Sequence, residues 1–186
     1  MLDLTWEWIG IDEPSLDVAN TVAVEKGTEH DLLAPDGEYK RWAAAAAASP
    51  ALTTDEAAAI AGARPRILEL REQIRTVLRA AADGRPLPKA AVAALNKTSR
   101  TAPHWAELAV DGRVARRAHG SAAERLLAEY ARSAMTIAAE GREKLRVCGA
   151  PSCGMFYRPR RRQQRWCSEQ CGNRARFARH YRARRS

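Results

Sequence analysis

Cys148, Cys153, Cys167 and Cys171 are the only cysteines in 186 residues, and all four lie in one 24-residue window. They form two close pairs, C-x4-C and C-x3-C. Such pairs suit a tetrahedral Zn²⁺ site, because a turn of about two to four residues lets both sulfurs reach one ion at about 2.3 Å. The rival chemistry is a disulfide framework, which belongs to oxidising compartments and small secreted domains. The N-terminal stretch MLDLTWEWIGIDE is acidic, with neither a basic start nor a long apolar run. No secretory leader is therefore expected. Charges interrupt every apolar run well short of the roughly 18 residues that a membrane span needs. The expectation is a cytoplasmic protein with reduced thiols and one structural zinc ion. No C-x-x-C occurs, which argues against a thioredoxin-like redox pair.

The same region concentrates positive charge. The chain carries +9 overall, yet residues 158–186 hold eleven arginines, no lysine and a single acid, Glu169. The rest is close to neutral. Clustering of this kind marks a polyanion site more than ordinary solvation. Arginine's planar fork also grips phosphate bidentately. The candidate nucleic-acid contacts are Arg158, Arg160, Arg161, Arg162, Arg165, Arg174, Arg176, Arg179 and Arg182. Contacts to phosphate supply affinity and salt dependence, whereas base edges supply sequence choice. DNA is the expected partner. RNA is the alternative, since Tyr157, Trp166, Phe177 and Tyr181 are interleaved with the basic residues and could stack on unpaired bases. Asn173 could read adenine, but its place beside a ligand cysteine favours a bond to nearby backbone.

Two elements must hold these groups. A knuckle around Cys148 and Cys153 supplies the first pair. Ser168 can N-cap a helix running to about Arg184, with Cys167 at its mouth and Cys171 one turn inside. That arrangement is treble-clef-like. Zinc would supply the folding energy that about 40 residues cannot gather from burial. On the helical wheel Cys171, Ala175, Phe177, Ala178 and Tyr181 share a broad face, expected to be the module's core, with Arg176 and Arg179 largely opposite.

The residues now carry a resemblance. Trp166-Cys167-Ser168 followed by Cys171-Gly172-Asn173-Arg174 resembles the CGNR zinc finger, a bacterial family named for those last four residues. The resemblance implies zinc on all four cysteines and a DNA-binding role. One departure is visible: the family's loop often has an Asp-x-Ser-Arg-Asn stretch, where this chain reads Tyr157-Arg158-Pro159-Arg160-Arg161-Arg162. Upstream, Leu16-Asp17-Val18-Ala19-Asn20-Thr21 is similar to the L-D-F-x-N-T pattern of the alanine-rich ABATE domain. That domain usually precedes this finger and is described as a stress-induced transcription regulator. The two resemblances divide the chain into a 1–143 helical domain and a 144–186 zinc finger.

Periodicity in the first part agrees with a mainly α fold. A short strand is expected over 5–11 and a helix from Ser15, as N-cap, to about Val24. A polar linker follows, then an alanine-rich helix over about 38–48 stopped by Ser49-Pro50. Thr53-x-x-Glu56 and Ser121-x-x-Glu124 are capping boxes, opening helices to about Ala61 and Glu143. Steps of three and four through Ile67, Leu70, Ile74, Val77 and Leu78 mark a helix over about 65–83, with Gly84 as its C′ residue. Another helix is expected over about 88–99. Between about 104 and 118, alternation around Asp111-Gly112 predicts a two-residue β-hairpin. No flexible linker precedes the cysteines, so the orientation of the two parts is expected to be coupled.

A regulator needs an input. Asn20 and Asp17 are candidate ligand contacts for an unidentified small-molecule effector, although a buried amide usually satisfies nearby backbone instead. Trp6, Trp8, Trp42 and Trp105 line a pocket or simply fill the core. Homodimerisation through the helical domain would offset the small DNA footprint of one module, about 600–1,000 Å². No enzymatic activity is expected. His30, His104, His119 and His180 fall in no metal-binding or nucleophile motif, and phosphate-cradling Gly-rich loops and G-x-S-x-G are absent.

Overall fold

The computed structural model describes residues 13–25, 27–48 and 53–184, and for Arg182 only its backbone. The expected strand over 5–11, Trp6, Trp8 and the Ser49-Pro50 stop lie outside the described residues. Three helices form the centre of the molecule: α4 (Arg64–Asp83), α5 (Lys89–Arg100) and α6 (Ala122–Glu140), each packed on the other two. The short α1 (Pro14–Ala19) lies across α4 and α6, while α3 (Thr54–Ala59) rests on α6 and carries α2 (Asp36–Ala47).

The apolar stripes face inward as their spacing predicts. Ile67, Leu70, Ile74, Val77 and Leu78 from α4 meet Leu126, Leu127, Tyr130, Ala134 and Ile137 from α6, all buried. Both capping boxes form in full. Thr53 Oγ1 accepts from the Glu56 amide while the Glu56 carboxylate accepts from the Thr53 amide, and Ser121 and Glu124 repeat the exchange. Trp42 is fully buried in the core, while Trp105 stays 43% exposed on the later hairpin.

The structure corrects the beginning of the chain. The helix expected over 15–24 ends at Ala19, and Ser15 is not its cap. Pro14, whose fixed φ suits the first helical position, starts the helix behind Glu13. Ser15 instead shares a hydrogen bond with the Ser133 hydroxyl on α6, at 2.9 Å. The segment after Thr21 then becomes strand β1 (Val22–Glu25), paired antiparallel with β2 (Thr28–Asp31). The supposed polar linker thus contains a strand. Tertiary contacts decide this: Arg71 on α4 grips the Asp31 carboxylate with two bonds of 2.7 Å, and Arg75 reaches Glu29 at 2.6 Å.

The second hairpin, β3 (His104–Leu108) with β4 (Val114–Ala118), forms where expected but turns differently. The Ala109 amide donates to the Arg113 carbonyl, so the loop is the three residues Val110-Asp111-Gly112. Gly112, at φ +83°, takes the left-handed position that such a loop needs.

A third hairpin belongs to the cysteine module: β5 (Arg146–Val147) with β6 (Phe156–Tyr157), followed by the last helix, α7 (Glu169–Ala183). Leu145 and Phe156 are buried in the same core as the helices, with Val147 packed against it. The module is therefore sewn into the helical body through its own hairpin, and the coupled orientation is built from apolar contact.

Candidate metal centre and nucleic-acid interface

The loop between β5 and β6 carries Cys148 and Cys153. It is tied by a 2.8 Å bond from the Cys148 amide to the Met155 carbonyl and turns through Ser152 at φ +57°. Ser168 caps α7 as its sequence predicts: its Oγ accepts from the Cys171 amide at 3.2 Å. Cys167 consequently stands at the helix mouth and Cys171 in the first turn.

The four sulfurs converge, all within 4.8 Å of one another. Three separations are 3.5 Å for Cys167–Cys171 and 3.7 Å each for Cys153–Cys167 and Cys153–Cys171. A regular tetrahedron with metal–sulfur bonds of about 2.3 Å has edges of about 3.8 Å. A disulfide needs sulfurs about 2.05 Å apart. The set therefore fits one zinc ion and no disulfide. Without an ion the crowded thiols share protons: hydrogen bonds from Cys153 and Cys167 pull the Cys148 pKa down, and the bond with Cys148 pushes that of Cys153 up. Four thiolates this close need a cation between them.

Each letter of the Cys-Gly-Asn-Arg string has a role. Cys171 is the fourth sulfur. Gly172 leaves room for the Trp166 ring, since a Cβ there would lie 3.0 Å from its Cδ1. Asn173 is exposed, and its carbonyl oxygen accepts from the Arg176 guanidinium rather than from backbone. Arg174 Nη2 donates to Cys171 Sγ at 3.0 Å, which offsets the negative charge that four thiolates would leave around a divalent ion.

The predicted phosphate contacts divide into groups. Arg158, Arg160, Arg161 and Arg176, with Trp166, Asn173 and the acidic Glu169, line a groove of about 1090 Å³ at the mouth of α7. Arg162, Arg165 and Arg179 are exposed, and among the described residues no carboxylate pairs with these three or with Arg160, Arg161 or Arg176. Two arginines have internal partners: Arg174 the ligand sulfur, and Arg158 the carboxylates of Glu140 at 2.6 Å and Glu13 at 3.6 Å. The side chain of Arg182 lies outside the described residues.

The expected core face of α7 is half right. Cys171 and Ala175 are buried, but Phe177 and Tyr181 are 75% and 71% exposed. The wheel puts them within the broad face, yet the module is too small to wrap past the first turns of the helix.

Asn20 has a structural partner. Its Nδ2 donates to the Phe156 carbonyl at 3.0 Å, and its Oδ1 accepts from the Phe156 amide at 2.8 Å. The amide thus completes strand β6 from across the body. Asp17 is buried nearby, beside Tyr130, where its charge helps to raise the phenol pKa after burial.

Two residues that sequence reasoning passes over hold the arginine loop. Gln164 accepts from the Arg160 amide and donates to the Trp166 carbonyl, both at 2.8 Å. Arg146 donates to the Gln164 and Arg162 carbonyls, each at 2.6 Å. Neither lies in a motif. An arginine before the first cysteine and a glutamine within a basic run are the only local traces of these bonds.

Among the described residues no helix is long and apolar enough to cross a membrane. No curated protein matches the chain. The ABATE profile, described as "Putative stress-induced transcription regulator", matches residues 12–141, and the CGNR zinc finger profile matches residues 144–185. With more than half its length covered by the first profile and its four sulfurs gathered under the second, the chain belongs to the ABATE family and ends in a CGNR zinc finger.

Proposed function

We propose that the protein is a cytoplasmic DNA-binding transcription regulator that acts by binding and not by catalysis. The observation that carries this reading is the groove at the mouth of α7. There exposed Arg160, Arg161 and Arg176 line one groove beside a helix N-terminus, and none of them pairs with a carboxylate among the described residues, although Glu169 lines the groove too. Exposed cations held close together repel one another, and a polyanion relieves that repulsion. The N-terminus of α7 adds its own positive field. Zinc serves to fix the loop and the helix at the spacing this grip needs.

The helical domain supplies the input in this reading, by binding an effector or by pairing two copies. Because Phe156 is shared between the core and the finger, a change in the packing around α1 would reach β6 directly.

A binding selection tests the function. Zinc-loaded protein is offered random duplex DNA and random RNA together at about 0.15 M salt, where non-specific phosphate contacts weaken. Recovery of a defined duplex motif is expected, and a palindromic motif would add a dimer. Recovery of RNA alone, or of sequences sharing nothing, would overturn the regulator reading.

A further inference from the structure

The last helix carries more than arginine. α7 has 15 residues, about 22 Å at the α-helical rise. Its inner face is occupied by Cys171 and Ala175 around the metal site. Phe177 and Tyr181, four residues apart and so on one side of the helix, stand clear of the surface at 75% and 71% exposure. The module keeps Phe156 and Tyr157 buried in the meantime. Two rings left in water on a domain short of apolar material call for an occupant.

Charge narrows the choice. Exposed Arg176 and Arg179 lie on the same helix as the rings, with exposed Arg184 just beyond its end, in a segment that carries one acid. A second copy of α7 would bring its own set of these arginines close by, and the like charges oppose that pairing. An anionic membrane would meet the charge but favours a wide apolar stripe, not two rings. The DNA major groove offers both parts. Its phosphates flank a floor studded with thymine 5-methyl groups, and its width of about 12 Å admits one helix.

We infer that Phe177 and Tyr181 are the base-contacting pair of α7, packing on thymine methyl groups of duplex DNA while arginines on other sides of the module hold the phosphates. This rests on the DNA-binding reading above and adds to it the source of sequence choice, which phosphate contacts do not supply.

The test compares full-length zinc-loaded protein with a Phe177→Ser, Tyr181→Ser double variant. Both rings are exposed, so the variant should keep its fold and its zinc. Binding is measured by fluorescence anisotropy on a 20-base-pair alternating dA·dT duplex and on its dA·dU counterpart, which lacks only the methyl groups. The unaltered protein should bind the dA·dU duplex about fourfold more weakly for each methyl group that a ring would otherwise cover. The double variant should bind dA·dT at least about tenfold more weakly than the unaltered protein. It should also bind the two duplexes alike, with an unchanged salt slope, because the phosphate contacts remain.

If the unaltered protein binds both duplexes equally and the variant matches it, the inference fails while DNA binding stands. If the rings instead matter on single-stranded oligonucleotides or phosphatidylserine vesicles and not on the duplex, the pair serves that partner and the inference also fails. If the unaltered protein binds no duplex even at low salt, the DNA reading falls and takes the inference with it.

Discussion

In α6 the helical body buries Leu126, Leu127, Tyr130, Ala134 and Ile137 along one face, and a full capping box holds its start. In α7 of the zinc module the buried positions among the described side chains are Cys171, Gly172 and Ala175, all in the first half of the helix, and two aromatic rings stand exposed to water. The body stands on apolar area. The module has little of it and stands on a metal and on borrowed packing, since Leu145 and Phe156 lie in the body's core. The difference teaches how a small, strongly basic unit is kept in a fixed pose. Its mutual repulsion is overcome by zinc on one side and by the helical body on the other.

The largest effect should come from removing zinc. Structural zinc contributes on the order of 10 kcal/mol in finger peptides. A Cys167→Ser variant should therefore lose the ion and melt α7 with its arginine loop, while α1 to α6 stay folded. Zinc stoichiometry by mass spectrometry under native conditions, with far-UV circular dichroism, reads both parts. A variant that still holds one equivalent of zinc would break the four-sulfur assignment.

A second, smaller effect sharpens the comparison at the seam. Asn20→Ala removes the two bonds that satisfy the Phe156 amide and carbonyl. Leaving buried backbone groups unpaired costs about 1–3 kcal/mol each. The variant should lose stability in urea denaturation and also release zinc more readily to a chelator. Loss of stability with unchanged zinc retention would show that the seam supports the body alone.

The smallest effect is confined to the body. Burial raises the Asp31 pKa, but its hydrogen bonds from Arg71 and Leu33 and the nearby arginine charges prevail, and the net shift is downward. A group depressed in the folded state stabilises it above the unfolded value, about 3.9, and that contribution is lost as pH falls through the folded value. Replacing Arg71 with Met should flatten this part of the acid-stability profile without moving the zinc-dependent transition. An unchanged profile between about pH 4 and pH 2 would show that the Arg71–Asp31 pair adds nothing to acid stability.

Local spacing is informative wherever one element decides the outcome. The capping boxes at Thr53 and Ser121, the stripe through α4 and the cap at Ser168 all depend on neighbours within a few residues. The first helix is misjudged from spacing because Val22–Glu25 has no local reason to leave the helix. The reason is Arg71 and Arg75, about 50 residues away, holding Asp31 and Glu29. Phe177 and Tyr181 are misplaced because a wheel shows which residues share a face, not how far the partner surface extends. Arg158 and Arg174 look like their neighbours in a basic run, and only their partners separate them.

By itself the sequence determined the chemistry of the centre. Four thiols in two close pairs and a serine that can cap the following helix leave one ion and one helix start as the consistent solution. Tertiary structure alone decided which arginines are free for a partner, that Asn20 completes a strand of the finger, and that the finger shares the body's core. Those outcomes depend on groups far apart in the chain arriving at one place. Distances of 2.8 and 3.0 Å between Asn20 and Phe156 follow from packing that no single segment encodes.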